Sequence, residues 1–116
     1  VTIQTRLHDP AAIAAACRRL GLAEPVQGKA ALYGGEAEGL VVRLPGWRYP
    51  AVIDCLTGAV RYDTFEGRWG DPKHLDRFLQ AYAAERVKME ARKKGRVVSE
   101  QALPDGSLRL TIAEGP

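Results

Sequence analysis

A chain of 116 residues, 46% hydrophobic and 27% charged, has the make-up of a single globular domain, residues 1–116, and excludes wholesale disorder. No apolar run approaches the roughly 20 residues of a membrane span, and VTIQTRLHDP carries no basic-then-apolar signal pattern, so a cytoplasmic protein is expected. The net charge of +3 is uneven: between Arg86 and Arg96 six cations face one acid, Glu90, so that segment stands at +5 and the rest at −2.

Thr2 to Leu7 alternates and reads as a strand with Ile3, Thr5 and Leu7 on one face. Its first residue is preceded by Val1 and not by a methionine, which leaves room for residues upstream. Asp9-Pro10 then opens a helix, since Asp is a good N-cap and Pro suits the first helical position. Ile13, Ala16, Cys17 and Leu20 form its apolar stripe, Arg18 and Arg19 complement the dipole of its last turn, and Gly21 closes it. Pro25 and Gly28 mark a loop, Lys29 to Tyr33 a strand and Gly34-Gly35 a turn. Leu40 to Leu44 is a further strand, broken by Pro45-Gly46 before the aromatic connection Trp47-Arg48-Tyr49-Pro50. Ala51 to Leu56 and Ala59 to Phe65 flank the turn at Thr57-Gly58.

Asp71 to Gly95 is the longest helix expected, again with an Asp-Pro start and a glycine stop. Leu75, Phe78, Leu79, Tyr82, Ala83 and Val87 recur at three- and four-residue steps, a stripe wide enough to cover a sheet. A closing hairpin follows, Val97 to Ala102 and Ser107 to Ala113 around Pro104-Asp105-Gly106. The order β-α-β-β-β-β-α-β-β predicts an α+β two-layer sandwich, an antiparallel sheet of five to seven strands with two helices on one face. It also divides into two βαββ units, Thr2–Leu44 and Ala59–Ala113, a pattern compatible with a pseudo-repeat.

The strand TIQT at Thr2–Thr5, the helix piece QAYAAERVKMEARKKG and the hairpin DGSLRL at Asp105–Leu110 together resemble one family. It is the uncharacterised cyanobacterial and plastid "ycf thirty-five-like" family (domain of unknown function twelve fifty-seven). The similarity spans essentially the whole chain and is strongest in the last forty or so residues. The ending IAEGP departs from the basic-aromatic tail of the pattern. The resemblance implies a small protein with no assigned reaction, metal or substrate. Members lie near genes for AAA-type ATPases and another small protein, which implies a component of a larger assembly.

No catalytic constellation is visible, so neither an enzyme nor a cofactor is expected. His8 and His74 have no ligand at metal spacing, and Cys17 and Cys55 read as small hydrophobes. Asp54, inside the apolar run AVIDCL, is the carboxylate to watch, with Arg43 or Arg61 as partner if it turns inward; Asp63 has less to recommend it. There is no G-x-S-x-G around Ser99 or Ser107, and Gly34, Gly35 and Gly39 precede a strand, not a phosphate-binding helix. Two functional expectations remain. A protein-interaction module, self-associating or serving an assembly, follows from a second sheet face carrying Val41, Val52 and Val60: either the sheet curls upon itself to cover it or another subunit does, a homodimer being the simplest cover. Nucleic-acid binding is the alternative, with Arg92, Lys93, Lys94 and Arg96 on phosphates and Tyr33, Trp47, Tyr49, Tyr62 and Trp69 offering rings to bases.

Overall fold

The computed structural model describes residues 1–114; Gly115 and Pro116 of the IAEGP ending lie outside them. Its elements are β1 (Thr2–Gln4), α1 (Pro10–Arg19), β2 (Val26–Leu32), β3 (Gly35–Val42), β4 (Ala51–Asp54), β5 (Ala59–Arg61), α2 (Pro72–Lys93), β6 (Arg96–Ala102) and β7 (Leu108–Glu114). The expected order is therefore observed, in an α+β architecture. Both helices begin as the sequence requires. The Asp9 carboxylate accepts from the backbone N–H of Ala11 and Ala12, and that of Asp71 from Lys73. Gly21 and Gly95, at φ of 70° and 69°, end them.

β1 to β5 form one antiparallel sheet in the order β1-β5-β4-β3-β2, while β6 and β7 pair with each other in a separate two-stranded sheet. The two βαββ units consequently differ. The first unit's hairpin joins the main sheet, whereas the second unit's hairpin packs on α2. Register lines up Ile3, Val60, Ile53 and Leu40 as one apolar row beneath the helices. Leu7, Ile13, Cys17, Val42, Ile53, Val60 and Phe78 fill the core almost without exposure. Burying such side chains stabilises the fold by roughly 1.5–3 kcal/mol each.

The second sheet face is not the open valine surface that alternation suggested. Val60 lies on the helix side, at the centre of the core. Val52, only 3% exposed, packs with Leu32 and Ala37, flanked by Ala30, Val41 and Tyr49. The outer half of the β2–β3 hairpin runs past β4 and leans over this face, and an Arg61 Nη1 donates to the Glu36 carbonyl across it. Gly39 permits the close approach: a Cβ there would lie 2.3 Å from the Ile53 carbonyl oxygen. The chain thus covers much of its own second face, and the argument for a homodimer on that surface loses its basis.

The molecule extends 52 × 31 × 23 Å, with a radius of gyration of 15.1 Å against about 13–14 Å for a round domain of this size. Elongation follows from the β6–β7 hairpin, which sits outside the main sheet. No helix among the described residues is long and apolar enough to cross a membrane.

Candidate functional site

The long helix meets neighbours on two sides. Leu75, Phe78 and Tyr82 face α1 and the main sheet, while contacts to β6 and β7 cover another flank, where Ala84 and Ala91 are buried. Between these flanks runs an open strip. Leu79 and Val87 are half-buried and Ala83 is exposed. The stripe that periodicity assigned wholly to the core is thus rotated. Ala81 and Ala84 take buried places, and Leu79, Ala83 and Val87 line a groove.

The wider part of the groove, about 830 Å³, is walled by Arg6, His8 and Asp9 on the β1–α1 connection and floored by Leu79, Tyr82 and Ala83. A second, narrower pocket of about 280 Å³ lies beyond Arg86, which lines both, and is bordered by Val87, Lys94, Arg96 and Ile112. From Leu79 to Lys94 the groove follows α2 for roughly 22 Å at 1.5 Å per residue.

Most polar groups around the wide part are already engaged. Tyr82 Oη accepts from the Asp9 backbone N–H at 3.1 Å and donates to the Arg6 carbonyl at 3.2 Å. Arg86 donates to Asp9 Oδ2 at 3.0 Å and to Glu90 at 3.3 Å. His8 Nδ1 lies 2.9 Å from the Cys55 carbonyl; because the carbonyl accepts, Nδ1 carries the hydrogen. These contacts fix the wall and leave the groove with an apolar floor and a cationic rim. Among the described residues, the Arg6 guanidinium and the Lys94 amine have no acidic partner.

Arg92, Lys93, Lys94 and Arg96 are all exposed at the end of α2. Lys93 lies 3.5 Å from Glu90. Lys94 and Arg96 edge the groove. The earlier cations of the segment are structural. Arg86 ties α2 to α1, and Lys88 joins Arg19 on Glu100, with Arg19 reaching both carboxylate oxygens at 2.7 and 2.6 Å. Those hydrogen bonds from Arg19 and Lys88 bring the Glu100 carboxyl down to about 2 and push the Arg19 guanidinium up.

The aromatic residues expected beside this basic end lie elsewhere. Trp69 packs against Tyr33, Tyr49 and Phe65 at centroid distances of 5.1, 5.6 and 4.8 Å, under the Arg48 guanidinium. Trp47 and Tyr62 form a separate pair. Trp69 precedes α2, and the basic residues occupy its last turn and the residues just after it, so most of the helix, roughly 30 Å, separates the two features. The expected composite of these rings with Arg92, Lys93, Lys94 and Arg96 is not formed; the cations beside the rings are Arg48 over Trp69 and Arg68 over Phe65.

The titratable candidates do not converge either. Asp54 faces neither Arg43 nor Arg61: its carboxylate accepts from the Leu56 backbone N–H at 3.0 Å and shapes the β4–β5 turn. Burial pushes both thiols, Cys17 and Cys55, above their ordinary range, the opposite of an activated cysteine. Among the described residues no three His, Cys, Asp or Glu side chains gather as metal ligands would. The groove residues Arg6, Leu79, Ala83, Val87 and Ile112 were not candidates from sequence. Their four-residue spacing on α2 was legible, but which flank of the helix stays uncovered was not.

Comparison with protein-family models, with curated proteins and with solved structures finds no match to this chain.

Proposed function

We propose that the protein is a non-enzymatic interaction module that docks a protein partner along α2. The observation that supports this reading most is the strip Leu79, Ala83 and Val87, an apolar line on the longest helix that its neighbours cover only in part, with Ala83 exposed. Grooves of this volume lie in the range of binding sites, and an amphipathic helix laid in an apolar groove is a recurrent mode of recognition. Resemblance to the ycf thirty-five-like family supports placing the partner in a larger, ATPase-linked assembly. Groove-to-groove self-association is disfavoured by charge. An isologous pair would bring Arg6, Lys94 and Arg96 of two copies together.

The test is a displayed library of random sixteen-residue helical peptides, selected on the wild-type protein and counter-selected on Ala83→Arg. Ala83 is exposed, so the variant should keep its melting temperature within about 2 °C. Peptides that bind the wild type and lose about tenfold or more on the variant are expected. A library yielding none would remove the docking reading.

Nucleic-acid binding stands as a second reading because Arg92 and Lys94 point no charge at an acid among the described residues. It has lost the adjacent rings, so contact would be to backbone phosphates alone, without base stacking.

A further inference from the structure

The groove has features that narrow the chemistry of its occupant. Leu79, Ala83 and Val87 follow one another at four-residue steps along a single ridge of α2, large and small in alternation, and Ala91, the next step, is buried against the β6–β7 flank where the ridge ends. Ridges of this kind are what a second helix packs into, and small residues in them let the two axes approach to about 8 Å. The floor is helical, so it offers a partner a ridge of side chains and not a backbone ladder.

Charge then distinguishes among helices. The two acids beside the groove, Asp9 and Glu90, are both held by Arg86. Arg6 on the wall of the wide part and Lys94 at the edge of the narrow part have no acidic partners among the described residues. A basic helix would meet like charge at both, while an acidic one would meet opposite charge at each.

We infer that the occupant is an amphipathic helix of about four turns. Its apolar face lies on the Leu79–Val87 ridge, and its acidic residues flank that face on either side of it, one set toward Arg6 and the other toward Lys94. The inference rests on the docking reading above and adds the partner's chemistry to it. A neutral apolar helix, a second copy of this chain and a nucleic acid are the competing occupants.

The experiment uses a designed sixteen-residue peptide with Leu at helical i, i+4, i+7 and i+11 positions and Glu on either side of that face. It is compared with the same peptide carrying Lys for Glu, with one carrying Gln for Glu, and with a Glu-bearing peptide whose leucines are scattered around the helix. Fluorescence anisotropy at about 50 and about 300 mM salt reads affinity, and light scattering reads the oligomeric state of the protein alone. Expected is binding of the acidic amphipathic peptide at least about tenfold tighter than of the Lys version. That preference should shrink several-fold at the higher salt and in the double variant Arg6→Glu, Lys94→Glu, and Ala83→Arg should remove binding. Equal binding of the Lys or Gln peptides, lost in Ala83→Arg, would overturn the acidic partner while leaving the docking reading intact. Equal binding of the scattered peptide or of a mixed-sequence oligonucleotide, unchanged in Ala83→Arg, would show a cation patch and overturn the helix. A dimer that dissociates in Ala83→Arg would assign the groove to a second copy. No binding by any peptide would overturn the inference, and the library selection on the same variant would then decide the docking reading separately.

Discussion

Gly58 sits where the β4–β5 turn passes beneath the end of β1. A Cβ added there would lie 2.3 Å from the Thr5 carbonyl oxygen and 3.0 Å from the His8 ring, and the φ of 78° is itself in the left-handed region. Thr5 and Gly58 also exchange backbone contact, the Thr5 N–H donating to the Gly58 carbonyl at 2.9 Å. Gly58→Ala combines backbone collision with strain. It is expected to cost about 2–4 kcal/mol, read by urea denaturation as a lower midpoint at unchanged slope. A midpoint equal to wild type would mean that the turn relaxes freely. Two neighbouring positions on α2 give a second residue-scale contrast. Phe78 is 1% exposed and Leu79 half-buried at the rim of the core. Phe78→Ala should lose about 3–5 kcal/mol, whereas Leu79→Ala should lose clearly less, because its truncation opens no closed cavity. Comparable losses would place Leu79 inside the core after all.

At the scale of elements, the hairpin of β6 and β7 depends on a polar clasp. Glu100 on β6 accepts from Arg19 of α1 and pairs with Lys88 of α2, so one carboxylate joins three elements. Its folded carboxyl is at about 2, below the ordinary 4.5, because those hydrogen bonds favour the charged form. The stabilisation is therefore fully present above about pH 4.5 and is lost as pH falls toward 2. The side chains are partly solvated and screened, so the contribution is about 1 kcal/mol and not the full value of the shift. Glu100→Gln should lower stability by about that amount at pH 7 and flatten the decline between about pH 5 and 2, until both proteins converge in acid. Parallel curves for the two proteins across that range would show that the clasp carries no linkage. This hairpin explains why α2 is longer than the main sheet requires. One flank of the helix packs on the sheet and α1, and another supports the hairpin, from Gln80, which donates to the Gly106 carbonyl, to buried Ala91.

At the scale of the whole molecule, the position of the rings relative to the cations sets what the surface offers a nucleic acid. With Trp69 and Arg92 at opposite ends of α2, single-stranded DNA held by the Arg92–Arg96 cations would gain phosphate contacts without stacking. Any oligonucleotide affinity should fall steeply with salt, be indifferent to sequence, and drop several-fold when Arg92, Lys93, Lys94 and Arg96 are changed together to Ala. A sequence preference surviving at about 300 mM salt would contradict this separation. Much of the architecture was legible in the chain itself. Asp9-Pro10, Asp71-Pro72, Gly21 and Gly95 place helix ends by local chemistry, and Asp105-Gly106 places the last turn, because caps and turns act within a few residues. Alternation likewise marks which residues of a strand share a face. It does not name the face, so Val60 was grouped with Val41 and Val52 although register puts it beneath the helices. Whether the final hairpin extends the main sheet or rests on α2 depends on contacts between residues far apart in sequence. The same packing decides which flank of α2 is covered, because helical periodicity repeats an apolar stripe without saying how many neighbours it has. The groove from Leu79 to Lys94 is the result of that choice: its residues belong to the sequence, and its openness belongs to the tertiary structure.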